Sequence, residues 1–139
     1  MFKKILLGYD GSEHAKKALA KAIELAKICN SELFLLSVGT IPAYAETISE
    51  IEEAKEQALN YYEKIQREIL DWASKENLKL VPLIRFGKPA EAIVNTAEEL
   101  KVDLIIVGAG EHPYLVRRIL GSTADRVVDS ASCSVLVVR

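Results

Sequence analysis

Gly121-Ser122-Thr123 stands just before a segment whose apolar residues, Ala124, Val127, Val128 and Ala131, recur at helical spacing. A helix starts with backbone N–H groups that have no partner inside the helix, and its first turn carries partial positive charge. Such a junction can therefore hold a phosphate. Glycine lets the backbone come close to the anion, and Ser122 and Thr123 add hydroxyl donors. The same triplet is also an ordinary helix start. Its register with two other breaks raises the phosphate reading: Asp10-Gly11-Ser12 and Gly108-Ala109-Gly110 each follow an apolar run directly. The plain role of Asp10 is to cap the segment behind it. Arg117 and Arg118, just before Gly121, either contact phosphate or sit on a solvated surface. His112 could act as a base or a titrating switch, but a lone loop histidine is read as exposed. No glycine loop is followed by a Walker-type lysine, and no nucleophile–base pair can be read. The pattern therefore predicts binding without catalytic residues. Cys29, Cys133, His14 and His112 are too scattered for a metal site, and both cysteines are expected as packing residues.

The elements that must position these residues alternate along the chain. Ile5-Leu6-Leu7, within Lys3 to Tyr9, is a continuous apolar run that suits a strand buried on both faces. Ala15, Ala18, Leu19, Ala22, Leu25, Ala26 and Cys29 form a helical stripe, with Ser12 as its cap and Asn30 as its stop. A second strand is predicted over Glu32 to Val38. A long helix follows over Ser49 to Lys75, with the stripe Ile51, Ala54, Ala58, Tyr61, Ile65, Ile69 and Trp72. Tyr62 and Trp72 could stack on a base, but at helical spacing both are read as core. The third strand is placed at Leu78 to Arg85, and Pro82 assigns it to a sheet edge. Pro89 opens a third helix with Ala90, Ile93, Ala97 and Leu100 on one face. Asp103 to Val107 is the fourth strand. The helix after Gly121 is the fourth, with Ala124, Val127, Val128 and Ala131 facing inward, and Ser134 to Val138 is the last strand.

This order predicts an α/β, Rossmann-like, doubly wound parallel sheet of five strands in the order 3-2-1-4-5, with helices on both faces. Ligands in such sheets bind outside the carboxyl ends of the strands, at the point where the strand order reverses. Here those ends are Gly8-Tyr9-Asp10 and Val107-Gly108, so Gly8, Tyr9 and Val107 are expected to line the crevice. Tyr9 either packs on a sugar or fills space.

Residues 1–139 are expected to form a single domain. The 18 basic and 20 acidic residues give a net charge of −2, which argues against a nucleic-acid partner. No apolar run reaches the roughly 18–20 residues needed to span a membrane. The apolar start stops at Asp10, too early for a secretory segment, so a cytoplasmic location is expected.

The KKILLGYDGSE start, DLIIVGAG, LGST and the SVLVV end together resemble the universal stress protein family along the whole chain. Family members that bind ATP carry Gly, two residues, Gly, nine residues, Gly, then Ser or Thr. Gly108, Gly121 and Ser122 match this pattern, and Glu111 takes the place of the second glycine. The resemblance implies an adenine nucleotide, ATP or AMP, bound by Gly8, Tyr9, Asp10, Val38, Val107, Gly108, Gly121, Ser122 and Thr123. Within that set Asp10 would bond the nucleoside, and adenine would meet the backbone at Val38. Like charges ~4 Å apart repel by about 4 kcal/mol at an effective dielectric of 20, roughly a thousandfold in affinity. An unpaired Glu111 facing the phosphates would therefore defeat ATP binding. It avoids this by turning to solvent, by pairing with Arg117 or Arg118, or by sharing Mg²⁺ with a bound nucleotide. The resemblance also implies a regulatory protein and a homodimer paired through strand 134–138. The alternatives are a ligand-free dimeric interaction module and a slow ATP hydrolase.

Overall fold

The computed structural model describes residues 1–110 and 120–139. Its elements are β1 (Lys4–Gly8), α1 (Glu13–Cys29), β2 (Glu32–Gly39), α2 (Ile48–Lys75), β3 (Leu80–Phe86), α3 (Pro89–Leu100), β4 (Leu104–Gly108), α4 (Ser122–Ser130) and β5 (Ser134–Val138). The sheet order is β3-β2-β1-β4-β5 and every pairing is parallel. The expected fold is therefore the observed one. Leu6 sits at the centre, paired with Phe34 on one side and Ile105 on the other.

The apolar runs are continuous because each strand feeds two cores. Successive side chains point to opposite faces. Ile5 and Leu7 pack with α1 and with Ile65 and Ile69 of α2. Leu6 packs with α3 and α4, against Ile93 and Val127. One helical layer thus holds α1 and α2, and the other holds α3 and α4. Pro82 lies on the edge strand β3, where a missing N–H costs no interior ladder bond.

The helix ends follow the sequence signals. Ser12 caps α1 by accepting from the Ala15 N–H at 3.3 Å, and Asn30 ends it in the left-handed region at φ 53°. At the opposite end of the sheet Asp103 ties β1 to β4. Its carboxylate accepts from the backbone N–H groups of Lys3 and Lys4 at 3.0 and 3.1 Å. Burial alone would push this carboxyl up, but those bonds outweigh it and hold the group below its ordinary value.

Two expected faces are corrected. Tyr61 and Trp72 are 58% and 39% exposed rather than core. The packing face of α2 is turned toward Ile65, Gln66, Ile69 and Ala73. Trp72 instead lies beneath the Lys27 ammonium, 5.1 Å from its ring centroid. In α4, Val127 is fully buried while Val128 is 48% exposed, because the roughly 100° step from one residue to the next carries Val128 off the narrow face that this short helix packs. The third and fourth strands also begin slightly later than expected, at Leu80 and Leu104. Among the described residues no helix is long and apolar enough to cross a membrane. Nor does any group of three His, Cys, Asp or Glu there come together as a metal site.

Candidate functional site: a crevice at the switch point

The crevice opens where the order reverses, between the carboxyl ends of β1 and β4 and between the two helical layers. Gly8, Tyr9, Asp10, Val107 and Gly108 line it from these two strands, and Leu36, Val38 and Thr40 extend it along β2. The first turns of three helices meet there: His14 of α1, Pro89 of α3 and Thr123 of α4. Parallel crossovers point every one of those helix starts at the same end of the sheet. Their partial positive charges therefore converge on one space.

Each wall has a local cause. The Tyr9 N–H donates to the Leu36 carbonyl at 2.8 Å. The Tyr9 carbonyl accepts from the buried Ser37 hydroxyl at 2.7 Å. The Tyr9 ring is buried in the core on the α1 side, so it fills space there. Burial raises its phenol, and the charge of Lys16 opposes that shift. Asp10 is exposed. Its Oδ1 accepts from the Ser12 N–H at 3.0 Å and from the Ser12 hydroxyl. That is an Asx-turn, a local bond between the side chain and the backbone two residues on. The capping role expected of Asp10 is thus filled indirectly, by holding Ser12, the residue that caps α1. His14 lies beside the same hydroxyl, with ring nitrogens 3.1 and 3.2 Å from it.

The glycines at the other wall set distances. A Cβ at Gly108 would lie 2.7 Å from the His14 carbonyl oxygen, so glycine lets β4 approach the first turn of α1. Gly110 adopts φ +79°, a conformation that favours glycine. A Cβ there would meet Gly121 Cα at 2.9 Å. This crossing places the Gly121 N–H 2.6 Å from the Ala109 carbonyl, to which it donates. This N–H is therefore engaged by Ala109 and is not one of the donors open to the crevice. Among the described residues α4 has no side-chain cap bond at Gly121, which leaves its following N–H groups as the available donors. Asp125 in the same first turn partly offsets the positive end.

Seven of the nine expected binding residues line the crevice: Gly8, Tyr9, Asp10, Val38, Val107, Gly108 and Thr123. Gly121 and Ser122 are not among its lining residues. Gly121 is buried as the N-cap of α4, and Ser122 is exposed beside it. Glu111, His112, Arg117 and Arg118 lie outside the described residues. The sequence reading missed His14, Thr40, Pro89 and Ile93, and it took Tyr62 for core where Tyr62 lines the crevice. His14 and Pro89 carried an available signal, since both stand in first turns directly after a strand's carboxyl end.

The sequence model of the universal stress protein family matches residues 1–139. A universal stress protein of Thermus aquaticus is 38% identical, with the whole of both chains covered. Among solved structures, the universal stress protein UspA from Lactobacillus plantarum matches with a TM-score of 0.84 at 27% identity, covering 99% of this chain and 98% of that one. A universal stress protein solved in complex with cAMP matches with a TM-score of 0.75 at 25% identity, covering 99% of this chain and 97% of that one. With sheet order, switch-point crevice and full-length similarity in agreement, the chain belongs to the universal stress protein family.

Proposed function

We propose that this chain is a regulatory binding protein that takes an adenine nucleotide, ATP or AMP, in the crevice at the ends of β1 and β4. The observation that carries this reading is the meeting of His14, Pro89 and Thr123, three helix first turns, in one crevice with Asp10 on its wall. Positive helix ends suit phosphate, and the apolar side chains of Val38, Ile93 and Val107 suit a base. The relative solved with cAMP supports the same ligand class. Asp10, Gly108, Ser122 and Thr123 form the proposed frame with Gly121, which acts through backbone placement. Glu111, Arg117 and Arg118 are assigned as modulators, and Mg²⁺ enters only with the nucleotide. Calorimetry with ATP and AMP, with and without Mg²⁺, is expected to show one site per chain. Glu111→Gly is expected to tighten ATP more than AMP, because repulsion grows with phosphate charge. Absence of heat for both nucleotides in the parent would sink the reading, whether or not Glu111→Gly binds.

The homodimer belongs to the same proposal. β5 and β3 are the two sheet edges, and unpaired edges invite pairing with another chain. Pro82 on β3 lacks a donor, whereas β5 offers Val135, Leu136 and Val137, all partly exposed. Pairing of β5 with its copy predicts a dimer mass by light scattering, and a monomer mass at micromolar concentration contradicts it.

A further inference from the structure

We propose that Tyr62 of α2 is a ligand contact of this crevice and forms the wall on which the nucleobase lies. The inference rests on the nucleotide reading above and assigns the base end of the ligand. Tyr62 is partly exposed and lines the crevice together with Asp10, Val38 and Thr40. Tyr61 meets its ring edge-on, at 5.1 Å between centroids and 76° between planes, an arrangement aromatic pairs favour. Burial raises the Tyr62 phenol and the charge of Asp10 raises it further, in keeping with their shared position at the crevice.

The sheet order gives the ligand its direction. β2 and β4 flank β1 on opposite sides. Thr123 and the α4 start lie at the β4 side, where the phosphates are placed. A ligand crossing β1 from there brings its other end to Val38, Thr40 and Tyr62. An apolar side chain, a hydroxyl and an aromatic ring at that end suit a flat heterocycle.

Tyr62 is held there by the buried face of its own helix. Gln66 follows it by four residues and so shares its side of α2. Gln66 is 3% exposed, and its Nε2 lies 3.2 Å from the Leu35 carbonyl, 3.1 Å from the Leu83 carbonyl and 3.1 Å from the Ser37 hydroxyl. These contacts fix α2 against β2 and β3. Gln66 is a positioning residue, and Tyr62 is the contact.

Stacking of a base on an aromatic ring predicts that Tyr62→Ala weakens AMP by about five- to 150-fold. Tyr62→Phe is expected to stay within about threefold, since the ring is kept. Tyr61→Ala is expected to weaken AMP less than Tyr62→Ala does, because it removes only the edge contact and keeps the stacking ring. Ribose 5-phosphate, which has no base, is expected to bind Tyr62→Ala and the parent alike. A second measurement does not depend on the alanine variant folding: with Trp72→Phe as background, Tyr62→Trp fluorescence should be quenched by AMP and not by ribose 5-phosphate. Unchanged AMP affinity in Tyr62→Ala, or no selective quenching, overturns the assignment of Tyr62 while leaving the nucleotide reading in place. A parent chain that binds neither AMP nor ATP overturns both.

Discussion

Gly108→Ala should cost about 1–3 kcal/mol of stability, the usual range for overpacking, read as a lower urea midpoint at unchanged slope. The added Cβ would stand 2.7 Å from the His14 carbonyl oxygen and 2.8 Å from its carbon. Both are backbone atoms in the first turn of α1, so relief requires that turn to move. The movement would disturb the Ser12 cap and the Asx-turn at Asp10, and nucleotide affinity should fall with stability. Gly8→Ala is the matched control on β1. There the new Cβ meets Ile93 Cδ1 at 2.9 Å, the far end of a flexible side chain that can rotate aside. Its cost should be clearly smaller. Equal costs at the two positions would show that the approach of β4 to α1 does not set the geometry of the crevice.

Gln66→Leu should destabilise by about 1–3 kcal/mol, from the loss of the buried amide's hydrogen bonds to Leu35, Leu83 and Ser37. The leucine keeps most of the volume, so the effect is polar and not a cavity. Ser37, fully buried, joins this amide to the Tyr9 carbonyl. The network therefore runs from α2 through β2 to the floor of the crevice. Gln66→Leu and Ser37→Ala should be non-additive, with a coupling of at least about 0.5 kcal/mol in a double-mutant cycle. Strict additivity in urea unfolding would mean that the two groups act separately.

Gln66 also explains where the sequence misleads. β1 and β4 are legible because burial on both faces leaves uninterrupted apolar runs, Ile5-Leu6-Leu7 and Leu104-Ile105-Ile106-Val107. The face of α2 is not, because one of its buried residues is an amide held by hydrogen bonds. Apolar periodicity cannot register such a residue, and it moves the stripe onto Tyr61 and Trp72. In α4, Val127 and Val128 are equally apolar, and only the sheet decides which one is buried. Within the site, Asp10 and Gly108 announce themselves as breaks at strand ends. His14 and Pro89 are legible only through the fold: each stands in a first turn after a strand's carboxyl end, and parallel topology brings those helix starts together. The bond from the Gly121 N–H to Ala109 depends on the close crossing with Gly110, a contact with no local sequence signature.

Under the proposed function, Asp10, Gly108 and Thr123 frame an adenine-nucleotide crevice, with Gly121 setting the start of α4 from behind it. The most direct measurement is mass spectrometry of the supernatant after the purified chain is denatured, followed by calorimetry on the stripped chain. The prediction is an adenine nucleotide in the supernatant, or a stripped chain that takes up AMP or ATP at one per chain. A supernatant without nucleotide, together with a stripped chain that gives no heat with AMP or ATP, would contradict it.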